Sequence, residues 1–242
     1  MKNIAQFLTL IPVLSENTVH VFLLKLDSFD YQDCIKNLSN DERNRAEKLK
    51  IESKRNQFVI TRSLLRQLLA LSLNKSPQDI HFCYAQHCKP YIEDQYNNNS
   101  LEFNVSHSGA YAVIAISLNN KLGVDIEQIN TKTDYDSLSN RFFSQQEKEQ
   151  YNRLAENEQL DLFYRIWVRK ESFTKAIGKG VSFGLDQFSV SLDEKCSVSE
   201  IITSQKIKEK WFCTDINSPA NYKAALTVNR DNIEIKVIDL TG

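Results

Sequence analysis

Apolar residues recur along the chain at two spacings, and the change from one to the other divides it into elements. Thr18 to Leu26 (TVHVFLLKL) reads as a strand. Ser39 opens a helix through a capping box, with Glu42 three residues on. From Glu52 to Leu73, apolar residues at Phe58, Ile60, Leu64, Leu65, Leu68, Leu69 and Leu71 repeat with a period near 3.6, and Arg55, Arg62 and Arg66 lie between them. This pattern predicts an amphipathic helix with basic flanks. Strand-like runs follow at Ile80 to Tyr84, Leu101 to Val105, Tyr111 to Leu118 and Leu122 to Glu127, punctuated by a turn at Asn97, Asn98, Asn99 and Ser100. The order then repeats. A helix is predicted over Asp134 to Arg141, a second from Ser144 with Glu147 completing its capping box, and a long third from about Glu158 to Ile177. Strands follow near Phe188, Trp211, Tyr222 and Ile235. Helices giving way to strands, twice over, predict an α+β fold of two similar halves, 1–121 and 122–242, although the halves share no sequence identity.

Composition narrows the class. The 242 residues are 41% hydrophobic and 25% charged, which excludes a mainly disordered or fibrous chain. A net charge of −1 gives the molecule no overall field for coating nucleic acid or a membrane, so any polyanion site is local. The five cysteines (Cys34, Cys83, Cys88, Cys196, Cys213) form no CxxC pair and point to a reducing, cytoplasmic setting. The apolar stretch Ile4 to Leu14 is interrupted by Gln6, Thr9 and Pro12 and lacks a cleavage signature, and no apolar run approaches the roughly 18 residues of a membrane span. Glycine is scarce: five of the six (Gly109, Gly123, Gly178, Gly180, Gly184) fall between 109 and 184, where positive φ or close backbone approach is called for.

Several segments could carry chemistry. In LGVDIE (122–127) the aliphatics alternate with Gly123, Asp125 and Glu127, so a strand would turn both carboxylates to one face: either a solvated acidic side or a hard-oxygen site for a divalent ion such as Mg²⁺. In the long helix, Phe163, Trp167, Glu171 and Lys175 form an i, i+4 row whose aromatic start faces the core. Glu171 and Lys175 are then either a surface pair or charged groups brought into a site. Gly178 and Gly180 end that helix as C-cap residues. FNVSHSG (103–109) sets Ser106, His107 and Ser108 at a turn between strands, as anion donors or as ordinary turn formers; no GxSxG elbow supports a serine hydrolase. The stretch 41–66 holds eight basic against four acidic residues, and Arg55, Arg62 and Arg66 share one side and could hold phosphate. His81, Cys83, His87 and Cys88 lack a zinc-ligand frame and read as ordinary strand residues.

Taken in order, Lys89-Pro90, FNVSHS (103–108), GVDIE (123–127), FFSQQE (142–147) and WVRKESFTKAIGKG (167–180) resemble the motif series of the Sfp-type 4′-phosphopantetheinyl transferases, from about Asp41 to Ser191. The resemblance implies a monomer of two similar α+β halves with the site between them. It also implies transfer of phosphopantetheine from coenzyme A to a serine of an apo acyl or peptidyl carrier protein, with release of 3′,5′-ADP and no nucleic-acid or membrane partner. By the same resemblance Asp125, Glu127 and Glu171 are the ligands of Mg²⁺, with Mn²⁺ as the alternative ion. Glu171, or water positioned by it, takes the proton from the carrier serine, and Lys170 and Lys175 offset phosphate charge. Ser106 and His107 hold the phosphate end of coenzyme A, Lys89 and Pro90 lie beside the nucleotide, and Arg45 and Arg62 are further coenzyme contacts. The chain departs from the family pattern at Cys88, where Gly often precedes Lys-Pro, and at Gln57, where a base often precedes the Phe. Two other readings stand beside this one: a Mg²⁺-dependent nucleotide pyrophosphatase using the same carboxylates, and a non-catalytic polyanion-binding module using the basic helix.

Overall fold

Two four-stranded sheets carry the fold, and their strand orders explain the repetition of the sequence pattern. The computed structural model describes residues 11–84, 89–97, 100–193, 199–203 and 209–240. The first half begins with β1 (Thr18–Lys25), the short helix α1 (Tyr31–Ile35), α2 (Asn40–Lys48) and the long α3 (Glu52–Leu73). It continues through a small hairpin, β2 (Phe82–Tyr84) and β3 (Pro90–Ile92), to β4 (Leu101–Ser108) and β5 (Tyr111–Leu118). The second half starts with β6 (Leu122–Gln128), α4 (Tyr135–Phe142), α5 (Gln145–Tyr151) and the long α6 (Glu156–Ala176). The short strands β7 (Phe188–Ser189), β8 (Ser199–Glu200) and β9 (Ile202–Thr203) precede β10 (Phe212–Ile216), β11 (Tyr222–Val228) and β12 (Glu234–Leu240).

In the first half β5 lies antiparallel between β1 and β4; in the second β11 lies antiparallel between β6 and β10. The two halves therefore share one connectivity, in which the opening strand, after a helical excursion, pairs with the last strand of a closing hairpin. The expected division at 121/122 needs one correction. β12 does not stay with the second half: it returns to pair in parallel with β1, from Thr18 opposite Glu234 to Leu24 opposite Leu240, giving the order β12-β1-β5-β4. A parallel pair requires a long crossover, and here the whole chain between β1 and β12 supplies it.

Among the described residues, apolar side chains sort into three cores. One lies between α3 and its sheet (Phe22, Leu24, Leu64, Leu65, Leu68, Ile114), and one packs around α6 (Phe143, Phe163, Ile166, Phe173, Trp211). The third joins the sheets through Val19, Val21 and Val113 on one side and Val124, Ile126, Leu226 and Val228 on the other. The alternation in LGVDIE is thereby accounted for, because its aliphatics enter the intersheet core while Gly123, Asp125 and Glu127 face α6 and the cleft.

Both capping boxes form as read from the sequence, and each does more than end a helix. Glu42 accepts from Ser39 N–H and from the buried guanidinium of Arg66 on α3, at 2.6 Å; Glu147 accepts from Ser144 N–H and pairs with Lys170 on α6, at 2.7 Å. In each half, then, a capping glutamate anchors a buried base of the long helix. This corrects two phosphate-binding expectations. Arg66 is 2% exposed and also donates to the carbonyls of Pro77 and Ile80. Lys170 is 0% exposed and donates to the carbonyls of Leu185 and Phe188. α1 escaped the sequence reading because one short turn leaves too few residues to show a period. Ser106, His107 and Ser108 lie within β4 rather than in the turn, which comes one residue later at Gly109 with φ +54°. Asn98, Asn99, His87, Cys88 and Cys196 lie outside the described residues.

Candidate active site

Gly123 decides how closely the site is assembled. A Cβ built there would lie 2.2 Å from the carbonyl oxygen of Ser172 and 2.3 Å from the amide nitrogen of Ala176, so only glycine lets β6 pack directly against the backbone of α6. Two residues on, Asp125 meets Lys175, and Lys175 Nζ lies 2.6 Å from Asp125 Oδ1. The i, i+4 row on α6 behaves as its spacing predicts: Phe163 is buried in the aromatic core, Trp167 stacks on it, and Glu171 and Lys175 continue the ridge into a cavity.

That cavity, of about 360 Å³, lies between the halves. Asp125, Glu127, Glu171 and Lys175 form the wall given by the second half. From the first half, Ser106 and His107 at the end of β4, Pro90 of β3, and Arg45 and Arg62 from α2 and α3 complete the lining. Arg62 is held at 3.6 Å by Glu42 Oε1 and sits over the rings of Phe58 and Phe82, while Arg45 lies over Phe58. Burial lowers the pKa of Arg62, an effect that Tyr84 and Glu42 oppose. A guanidinium so held, with its buried Nη1 lacking a hydrogen-bond partner, is ready for an anion.

The structure does not bring every expected residue here. Lys170 is in the α6 core, as described above. Lys89 donates to the carbonyls of Leu122 at 3.1 Å and Ala176 at 3.4 Å, and burial lowers its pKa; its ammonium ties the hairpin to β6 and to the end of α6 rather than lining the cavity. Arg55 is not in the cavity wall either. The departure at Gln57 has a structural outcome: the side chain is buried and donates to the carbonyl of Gly109, fixing the β4–β5 turn. Sequence reading missed Thr61, whose hydroxyl is buried in the cavity wall without a partner. Its signal was present, since Thr61 stands beside Arg62 and one turn from Phe58, but threonine on an amphipathic helix does not stand out.

Hydroxyls of the first half bind the carboxylates of the second. Ser106 Oγ donates to Asp125 Oδ1 and Ser108 Oγ to Glu127 Oε2, each at 2.7 Å. Lys175 Nζ also reaches Ser106 Oγ at 2.8 Å. Burial and the neighbouring acids raise the pKa values of Glu171 and Glu127. Burial, then Asp125 and Glu127, push Glu171 up to about 7 against the pull of Lys175; burial and Asp125 raise Glu127 as well.

The donor set suits a hard divalent cation. Asp125 is 2% exposed, its Oδ2 is buried without a hydrogen-bond partner, and among the described residues Lys175 is the only cation paired with its carboxylate. Among the described residues no three His, Cys, Asp or Glu side chains are drawn into a single coordination sphere, so Asp125, Glu127 and Glu171 line one cavity without converging on one point. Also among the described residues, no helix is long and apolar enough to cross a membrane.

Comparison with known proteins gives a consistent result. Residues 121–227 match the family model of the 4′-phosphopantetheinyl transferase superfamily, and residues 27–119 match that of the 4′-phosphopantetheinyl transferase N-terminal domain. A Synechocystis protein provisionally named a 4′-phosphopantetheinyl transferase is 39% identical over 195 residues, covering 78% of each chain. The 4′-phosphopantetheinyl transferase HetI of Nostoc is 32% identical over 181 residues, covering 74% of this chain and 76% of its own. A 4′-phosphopantetheinyl transferase of Bacillus subtilis is 31% identical over 206 residues, covering 84% and 88%.

Proposed function

The chain belongs to the 4′-phosphopantetheinyl transferase superfamily and is an enzyme that makes holo-carrier protein by transferring phosphopantetheine, and we propose that the cavity between its halves is where transfer occurs. One observation carries this assignment. Three carboxylates, one with an unpartnered buried oxygen on Asp125, and the guanidinium groups of Arg45 and Arg62 line one cavity of about 360 Å³. Acids and bases so combined suit a substrate with a pyrophosphate and a further phosphate, held by a metal on the carboxylates and by the guanidinium groups.

In this reading Asp125, Glu127 and Glu171 hold Mg²⁺, with Mn²⁺ as the alternative ion, and coenzyme A is the donor. The bound ion would supply charge neutralisation at the pyrophosphate. Glu171 accepts the proton of the carrier serine hydroxyl; the serine oxygen bonds to the phosphorus bearing pantetheine, and the bond from that phosphorus to 3′,5′-ADP breaks. Lys175, bonded to Asp125 and Ser106 and lining the same cavity, would offset phosphate charge. Ser106, His107, Arg45, Arg62, Thr61 and Pro90 form the coenzyme wall. Positioning and charge neutralisation then supply most of the catalysis, as is general for phosphoryl transfer.

The same reading has the enzyme act as a monomer in the cytoplasm on an apo acyl or peptidyl carrier protein, without nucleic-acid or membrane partners. Among the described residues Cys34, Cys83 and Cys213 form no disulfide, which suits a reducing compartment. A polyanion-binding module on the basic helix is disfavoured, because Arg66 is buried and Arg62 faces the cavity. The test is release of 3′,5′-ADP from coenzyme A with and without an apo carrier. Release that needs both carrier and Mg²⁺ is expected; release without any acceptor would make the protein a pyrophosphatase instead.

A further inference from the structure

The seam between the halves is made by side chains where a backbone ladder is absent. β4 is an edge strand of one sheet and β6 of the other. Along their contact Asn104 Oδ1 accepts from Val124 N–H, Ser106 Oγ donates to Asp125, Ser108 Oγ donates to Glu127, and Gln128 N–H returns to Ser108 Oγ at 3.1 Å. Both serine–carboxylate pairs are separated by 19 residues in sequence, so the strands run parallel and in step, each rung two residues from the next.

A hydroxyl has one proton to give. Ser108 Oγ accepts from the Gln128 amide, and this orients its proton toward Glu127 Oε2. The seam engages that one oxygen of a residue that itself lines the cavity. Ser106 is differently placed: it shares Asp125 with Lys175 and itself lines the cavity. Ser108 is not in the cavity wall, so it acts on the site only through Glu127.

We propose that Ser108 is a positioning residue for this reaction, a hydroxyl from the first half that fixes the Glu127 carboxylate of the second half in the orientation needed to ligate the divalent cation. The inference rests on the metal reading given above. It means that the cation site is complete only when the two halves are docked in register, because one half supplies the carboxylates and the other holds them still. Groups that orient a metal ligand are commonly worth about 10- to 100-fold in metal affinity.

The test is a Mn²⁺ titration of the intact protein, followed by the electron paramagnetic resonance signal of free Mn²⁺, with coenzyme A present and no carrier protein. Wild type, Ser108→Ala, Ser108→Thr and Asp125→Asn are compared, and coenzyme A alone is the blank. Ser108→Ala is expected to weaken Mn²⁺ binding about 10-fold and to raise the Mg²⁺ concentration for half-maximal transfer, while Ser108→Thr, which keeps the hydroxyl, restores most of the affinity. Wild-type affinity in Ser108→Ala overturns the proposal. Equal weakening in Ser108→Ala and Ser108→Thr also overturns it, since packing at the seam and not the hydroxyl would then be responsible. Wild-type protein that binds no more Mn²⁺ than Asp125→Asn overturns the metal reading itself and this inference with it.

Discussion

Asp125 is buried with one oxygen shared by Ser106 and Lys175 and the other left without a partner. An unmet buried acceptor is costly in a folded protein, and in the function proposed above the bound cation offsets that cost. Asp125→Asn and Glu171→Gln keep the volume of each side chain while removing its charge. Both are expected to remain folded and to lose transfer by about 100-fold or more at saturating Mg²⁺, read from initial rates beside a thermal melt; activity near wild type in either would move the site elsewhere. Glu171 also gives a pH signature. Its carboxyl ordinarily titrates at 4.5 and in the fold at about 7, so between these values the folded state holds the proton more firmly than the unfolded state. Without metal, the contribution of this group to stability therefore falls as pH rises from about 4.5 to about 7 and stays low above that. Thermal melts should show metal-free wild type losing ground to Glu171→Gln as pH rises through this window, with Mg²⁺ stabilising wild type most strongly above pH 7. A wild-type minus Glu171→Gln difference that does not change with pH would contradict the raised value.

Among the elements, the two long helices illustrate which features a sequence displays and which it conceals. α3 was legible in full, because twenty-two residues give several turns of apolar period, and both capping boxes were legible because their spacing is local. What the bases between those apolar positions do was not legible. Arg66 and Lys170 look like solvated or phosphate-binding residues, yet each meets a glutamate more than twenty residues earlier in the chain, a tertiary pairing that periodicity does not encode. Lys170 and Glu147 are both 0% exposed, so removing one leaves a buried charge without its partner. Lys170→Ala is expected to destabilise the protein by about 3–5 kcal/mol in urea denaturation; unchanged stability with weakened coenzyme A binding would instead return Lys170 to the phosphates. The adjacent residue on the same helix, Glu171, was legible as part of the cavity lining for a local reason, since its i, i+4 row begins in aromatics that had to be buried. Lys89 was the converse: its motif was legible, but the carbonyls of Leu122 and Ala176 that take its ammonium come from elements far along the chain.

For the whole molecule, the duplicated connectivity places the end of β4 beside β6, and that single seam joins the carboxylates to the hydroxyls that hold them and opens the cavity toward the arginine wall. The sequence displayed the repetition of helices and strands but not the return of β12 to β1, because a parallel partner more than two hundred residues away leaves no local mark. With β12 spanning back to the first sheet, the halves are tied by the chain as well as by the intersheet core. The central claim is that this assembled cavity carries a phosphopantetheine group onto a protein serine. The measurement that tests it most directly is the intact mass of an apo carrier protein incubated with this enzyme, coenzyme A and Mg²⁺, alongside Glu171→Gln and an EDTA control. The carrier should gain the mass of one phosphopantetheine on a serine with the wild-type enzyme and gain none in the two controls. An equal gain with Glu171→Gln, or in EDTA, would contradict the account.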